Sequence, residues 1–314
     1  MKENQLWRQS GPLAFPWVKT LDNIMQKSDL PKCDGSLLLL ASDYSGFEKE
    51  SNFTAFSFIV ADLYNSNEWE VKRRIIRQQF LPNNRRMSFK GLSDKHRREA
   101  LVPFLESADN IEGLLITFLI NKKIKSLAYY PGLLSKWKDK LELQWNWSES
   151  QFVQMLNITH FVSILIGALG KDNQSIYWIS DQDEIFANQS KHQDVGRIMS
   201  KLGNIYIQHT PGELGVGTSE IDPGDRAEED LTSIADLAAG ALVDVVNQCS
   251  KNKKWNTNHN MILIEGAKPR AQEIIIWLSE PQHKLKKITI VFDESNISDF
   301  SMRKLDLKES LIIV

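Results

Sequence analysis

Four aspartates in this chain sit at the ends of apolar runs or inside one, where a carboxylate is costly unless something compensates it. Asp43 follows four consecutive leucines in "SLLLLASDYSG", Asp181 and Asp183 close "QSIYWISDQDE", and Asp236 lies within "EEDLTSIADLAAGALVDVVN". Aspartates gathered from several elements are the scaffold that Mg²⁺ or Mn²⁺ needs, because these ions take oxygen ligands in near-octahedral geometry. Phosphodiester hydrolysis requires a nucleophilic hydroxide and a stabilised leaving oxygen, and two such ions roughly 4 Å apart supply both. Without metal the carboxylates would repel one another and some would take up protons. Lys90, in "SFKGLSDKHR", would neutralise transition-state charge beside them. Each residue also has a plainer reading. Asp-Tyr-Ser-Gly suits a tight corner. An exposed acidic turn is the alternative for Glu184 and Asp181, and Asp183 shares the face of Asp181 only if the strand continues. Asp236 fits a buried carboxylate capped by backbone or by a base, and Lys90 fits an ordinary surface lysine.

The elements that must position these groups follow from periodicity. Residues 37–40 form a continuous apolar run bounded by turn residues, which reads as a strand covered on both faces. Segments 36–42, 53–63 and 69–80 are spaced as three antiparallel hairpin strands. "SDKHRREALVPFLESADN" reads as a helix capped by Ser93, despite Pro103. "GLLITFLINKK" is a fourth strand, and "SESQFVQMLNITHFVSILIGALG" a helix opened by Ser148 and closed by Gly170. "QSIYWISDQDE" is a fifth strand, followed by a short helix, "NIYIQH", an acidic glycine-containing loop and a helix over 229–247. In that helix Leu231, Ile234, Ala238, Leu242 and Val245 form an apolar stripe. Asp236 shares a neighbouring face with Thr232, Ala239, Gly240 and Val243. Gly240 costs about 1 kcal/mol relative to alanine inside a helix, which close approach of another element would justify. Residues 1–34 form an extension with some helix, and 251–314 a helix-and-strand extension packed on the core.

Composition excludes several function classes. Two cysteines, Cys33 and Cys249, are too few for a disulfide framework or a cysteine-rich zinc site and suit a reducing cytoplasm. The six histidines have no paired metal-ligand spacing, which argues against a zinc hydrolase. "MKENQLWRQSGPLAFPW" lacks the apolar core of a signal peptide, and "FVSILIGALG" is too short to span a bilayer. The expected location is therefore the cytoplasm, without a membrane partner. Net charge is −2, yet residues 71–98 hold ten Lys/Arg and one acid, while 213–236 hold eight acids and one base. A basic block near an acidic one is what a metal-using enzyme acting on a polyanion requires. Arg73, Arg74, Arg85, Arg86, Lys90, Arg97 and Arg98 are then the candidate contacts to a nucleic-acid backbone. The alternative is a solvated basic hairpin and a solvated acidic loop.

Three hairpin strands followed by helix, strand, helix, strand and helix is the order of a ribonuclease-H-like α/β fold. It would span 35–250, a mixed sheet flanked by helices. Asp-x-Ser-Gly at 43–46, a middle strand ending in aspartate and "ADLAAGAL" together resemble the bacterial family known as domain of unknown function 3800. Members of that family typically begin Asp-Glu-Ser-Gly-Asp; here Tyr44 and Phe47 stand in place of the glutamate and the final aspartate. The late motif at 235–240 matches, and the lysine-bearing stretch around Lys90 resembles the family's. The resemblance covers roughly 36–248. It implies a Mg²⁺- or Mn²⁺-dependent nuclease with Asp43, Asp181, Asp183 and Asp236 as ligands. It also implies a prokaryotic setting in which defence against foreign nucleic acid is a fitting role, with a protein partner of the same system as a further expectation.

In the standard ribonuclease-H fold the second metal-binding carboxylate ends strand four, beside strand one. The strand count above puts Asn121 there, so either the order differs or Asp181 and Asp183 are not partners of Asp43. A catalytically degenerate module that holds nucleic acid or protein through the basic block is the second hypothesis. A sugar kinase of the actin-like superfamily, cradling phosphate on "PGELGVG", is the third; the glycines match no P-loop. Trp137, Trp145 and Trp147 would stack bases or pack the tail.

Overall fold

The computed structural model describes residues 15–82, 85–128, 131–181, 185–219, 224–252, 255, 261–262, 267–280, 284–295 and 300–307. Asp183 lies outside the described residues, so its expected role has no structural account.

Apolar runs make the centre of the sheet. β1 (Leu37–Ser45), β2 (Phe53–Ala61) and β3 (Gly113–Asn121) form an antiparallel meander, and every residue of β2 and β3 is buried. Strands buried on both faces need no polar alternation, which is why they read as unbroken hydrophobic stretches. β4 (Ser175–Ser180) pairs parallel to β1 on its free side, and β5 (Leu214–Thr218) pairs parallel to β4. On the far side β7 (Leu285–Asp293) runs parallel to β3, with β8 (Ser301–Lys304) antiparallel beyond it. The result is a seven-stranded mixed sheet in the order β5-β4-β1-β2-β3-β7-β8. The tail, expected as an extension packed on the core, also supplies two strands to the main sheet. β6 (Met261–Ile262) and β9 (Asp306–Leu307) form a separate parallel pair.

Helices cover both faces. α1 (Pro16–Met25), α5 (Glu149–Leu169) and α6 (Gln189–Tyr206) bury one face around Phe56, Phe118 and Phe161. α5 opens on a capping box in which Ser148 and Gln151 satisfy each other's backbone, and it ends at Gly170 as the sequence suggested. By length and composition α5 is apolar enough to cross a membrane, yet 83% of that stretch is buried inside the protein as the central core helix. The other face is packed by α2 (Asn67–Phe80), α3 (Lys95–Ala108), α7 (Ala227–Lys251) and α8 (Pro269–Ser279). α4 (Leu133–Lys140) lies in the link before α5.

Three expectations are corrected. Residues 69–80 are not a hairpin strand; they lie in α2, with Trp69, Arg73 and Ile76 buried at helical spacing. Glu68 with Lys72 and Glu70 with Arg74 are i,i+4 ion pairs on its surface, and acids in its first turn with Arg77 in its last complement the helix dipole. The third strand is therefore 113–121, and the segment that ends on Asp181 is the fourth. The first half of "NIYIQH" is the last turn of α6, while β5 lies within the glycine-containing loop. The α3 cap is Asp94, whose side chain accepts from Arg97 N at 3.2 Å, and not Ser93.

Candidate active site

Asp43 lies near the C-terminal end of β1 on the face that Leu39 and Ala41 turn toward α7. Parallel pairing sets Ser42 opposite Ser180, so Asp181 follows directly beside Asp43 at the end of β4. Asp236 approaches from α7, and the three carboxylates share one field. Burial, then the negative charges of Asp236 and Asp181, push the Asp43 carboxyl well above its ordinary range, against the pull of Tyr44 N–H and Arg86. Burial also raises Asp236, although Phe89 N–H and the charges of Arg86 and Lys90 oppose it.

Local chemistry explains how each group is held. Asp43 Oδ1 accepts from Tyr44 N at 2.6 Å, which fixes the carboxylate at the strand end. On the opposite face, Trp178 Nε1 donates to Ser42 Oγ at 2.9 Å, and that hydroxyl meets Tyr44 Oη at 2.7 Å. The corner itself needs Gly46: its φ of +86° is left-handed, and a Cβ there would overlap the Phe53 carbonyl oxygen. Asp236 Oδ2 accepts from Phe89 N at 2.6 Å. Phe89 can lie that close only because Gly240, one turn along α7, has no Cβ; one added there would run into the Phe89 ring. The close approach read from Gly240 is thus made by the segment that precedes α3.

The cation among these acids is Arg86. Its Nη1 donates to Asp181 Oδ1 at 2.7 Å, and its Nη2 is 3.7 Å from Asp43 Oδ2. Burial alone would lower its pKa, but the Asp181 hydrogen bond and the charges of Asp181, Asp43 and Asp236 leave it raised. Arg97 Nε donates to the Arg86 carbonyl at 2.7 Å and steadies the loop, and Ser219 Oγ donates to Asp181 Oδ1 at 3.3 Å. Among the described residues no group of three or more His, Cys, Asp or Glu side chains stands ready-made to hold a metal ion. The donors match the chemistry of Mg²⁺ or Mn²⁺, since all three are carboxylates on adjacent elements. The guanidinium spans two of them.

The basic block is not a free cationic surface. The Arg73 side chain is 0% exposed and pairs with Glu70, Asp225 and Asp230. A guanidinium so buried offers no surface to a phosphate, which corrects the nucleic-acid role expected for it. Arg77 grips Asp230 through two bonds, Nε to Oδ2 at 2.7 Å and Nη2 to Oδ1 at 2.6 Å. Burial pushes the Asp230 carboxyl up to about 6 even against these two arginines. Arg74 pairs with Glu70 and Asp225, Arg85 with Asp94, and Arg98 donates to the Ser93 carbonyl. The basic and acidic blocks of the sequence therefore meet, and they clamp α2 onto the start of α7. Lys90 is different: 87% exposed, it stands at the rim, 4.0 Å from Glu48. Trp147 is buried against Asp194, Trp145 carries Lys191 on its ring, and Trp137 packs on Phe152, so all three have packing roles.

The fold brings the sequence candidates Asp43, Asp181 and Asp236 into one neighbourhood; the sequence did not distinguish Arg86 from nine other bases, and it gave no sign of the Phe89 N–H, which has no side-chain signal. The chain matches no protein-family model, and no curated protein is significantly similar to it.

Proposed function

We infer that this protein is a Mg²⁺- or Mn²⁺-dependent phosphodiester hydrolase acting on nucleic acid, with Asp43, Asp181 and Asp236 as the metal-holding carboxylates. The observation that carries the reading is the convergence of these three acids, from two adjacent parallel strands and one helix, with burial and mutual repulsion raising Asp43. The strand order adds support: β4 is the fourth strand, lies beside β1 and is followed directly by Asp181, as a ribonuclease-H-like fold requires of its second carboxylate. Bound metal would supply the nucleophilic hydroxide and stabilise the leaving oxygen. The chain's own part is to orient the acids through Tyr44 N–H, Phe89 N–H and Ser219, to balance charge through Arg86, and to present Lys90 at the rim.

Arg86 also favours a second reading, in which the guanidinium has replaced the metal and the module only binds. Titration calorimetry with Mn²⁺, beside a cleavage assay on labelled DNA and RNA, separates the two. The hydrolase reading expects binding and cleavage that Asp43→Asn abolishes without unfolding the protein. Absence of Mn²⁺ binding by folded wild type, with no cleavage, would establish the degenerate module.

A further inference from the structure

A cavity of about 340 Å³ opens on the α5 face of the sheet, beside the tip of the β1–β2 hairpin. It is at the small end of the range for small-molecule sites. Asn157, on α5, and Thr54, on β2, line it and are 9% and 8% exposed. Among the described residues neither side chain makes a hydrogen bond, and the polar atoms of both keep access to solvent through the cavity. An amide presents a donor and an acceptor together, and a hydroxyl can act as either. Phe47, 45% exposed, stands at the mouth with its ring edge to face against Phe56, centroids 6.0 Å apart. The charged lining residues are Lys122 and Lys125. Lys122 Nζ donates to the Glu48 carbonyl at 2.6 Å, and the Glu48 and Glu50 carboxylates lie within its field. A second cavity of about 790 Å³ shares Lys125 and Val153 with the first, so the two form one groove.

We propose that this cavity binds one unpaired base of a single-stranded nucleic acid, stacked on Phe47 and hydrogen-bonded by Asn157 and Thr54, with the backbone passing Lys125. A planar ring with donors and acceptors on its edge answers the free amide and hydroxyl of these two side chains, and every base offers a face to an aromatic residue. Bases held in a duplex are stacked and paired, and cannot enter. The inference rests on the polynucleotide reading above. It connects to that site through the hairpin corner: Phe47 is four residues beyond Asp43, at most about 14 Å along the chain. A Cβ built on Gly46 would press on Val243 of α7, so that side of the corner faces α7, while Phe47 lines the cavity.

The test is fluorescence anisotropy with a labelled ten-nucleotide single strand of DNA, its RNA counterpart and the DNA duplex, without divalent ions. Wild type should bind single strands more tightly than duplex. Phe47→Ala and Asn157→Ala should each weaken single-strand binding at least about fivefold while leaving Mn²⁺ binding intact. Lys125→Glu should reduce the slope of log K against log salt by about 0.7 or more. If Asn157→Ala fails to fold, the surface variant Phe47→Ala decides. Wild-type affinity in the variants, or duplex bound as tightly as single strand, overturns the proposal. Uridine monophosphate competing at the decamer's own concentration overturns it in favour of a free nucleotide. Phe47-dependent binding by a protein that neither takes up Mn²⁺ nor cleaves would sink the hydrolase reading alone; cleavage indifferent to Phe47 would do the reverse.

Discussion

Arg86→Gln tests the charge balance of the site directly. The guanidinium lies 2.7 Å from Asp181 and 3.7 Å from Asp43, with 29% of its side chain exposed. Two unit charges at 4 Å attract by about 4 kcal/mol at an effective dielectric of 20. Partial exposure and recovered hydration reduce the net loss to about 1–3 kcal/mol, below the full cost of breaking a buried pair. At about 2–4 °C per kcal/mol, the melting temperature should fall by about 2–12 °C at pH 7.5. The loss has a sign in pH. Asp43 and Asp236 are already raised above their unfolded values, and removing the arginine raises them further. A carboxyl raised in the folded state disfavours folding above its folded pKa, and the penalty fades as pH falls toward the unfolded value of 3.8. The variant should therefore approach wild type between pH 7.5 and pH 5. Arg86 also stands in the way of a divalent ion, so Mn²⁺ should stabilise the variant more than wild type; saturation at one hundred times Kd is worth about 2.7 kcal/mol. Differential scanning fluorimetry at both pH values, with and without millimolar Mn²⁺, reads all three effects. Equal melting temperatures at pH 7.5 with no larger Mn²⁺ shift would refute the reasoning.

Gly240→Ala gains about 1 kcal/mol of helix propensity but forces a Cβ into the Phe89 ring, an overpacking cost of about 1–3 kcal/mol, so the variant should be less stable; a higher melting temperature would show that Phe89 yields freely. His160 is buried on Tyr206 Oη at 2.9 Å, and burial lowers its pKa from 6.5 to about 3. The unfolded state alone takes up that proton below pH 6.5, so the residue removes about 1.4 kcal/mol of stability per pH unit on acidification toward 3. Denaturant melts of His160→Gln should lose that slope relative to wild type; parallel pH profiles would exclude it. Arg77→Met leaves buried Asp230 with Arg73 alone and should cost about 3–5 kcal/mol in the same melts, whereas Arg74→Ala, an exposed pair, should cost under about 1 kcal/mol; equal losses would contradict the clamp.

By itself the sequence determined what neighbouring residues along the chain can determine. Unbroken apolar runs produced β1, β2 and β3, the Ser148–Gln151 box opened α5, and a small-residue face on α7 pointed to both Asp236 and the close approach at Gly240. Residues 69–80 failed the same test because α2 alternates charge with β-branched and aromatic residues, and its i,i+4 ion pairs mimic strand composition. That error displaced the strand count: it makes Asn121 the end of a fourth strand, whereas the fourth strand is in fact the one followed by Asp181. Only the tertiary structure decided the rest. The pairing of β1 with β4 joins residues more than a hundred positions apart, and no local period encodes which edge a strand will choose. The ten bases of 71–98 look alike in sequence; docking of α2 on α7 buried Arg73, paired Arg77 and sent Arg86 to the carboxylates. In each case the deciding term is desolvation against a distant partner, and that partner exists only once the chain has folded.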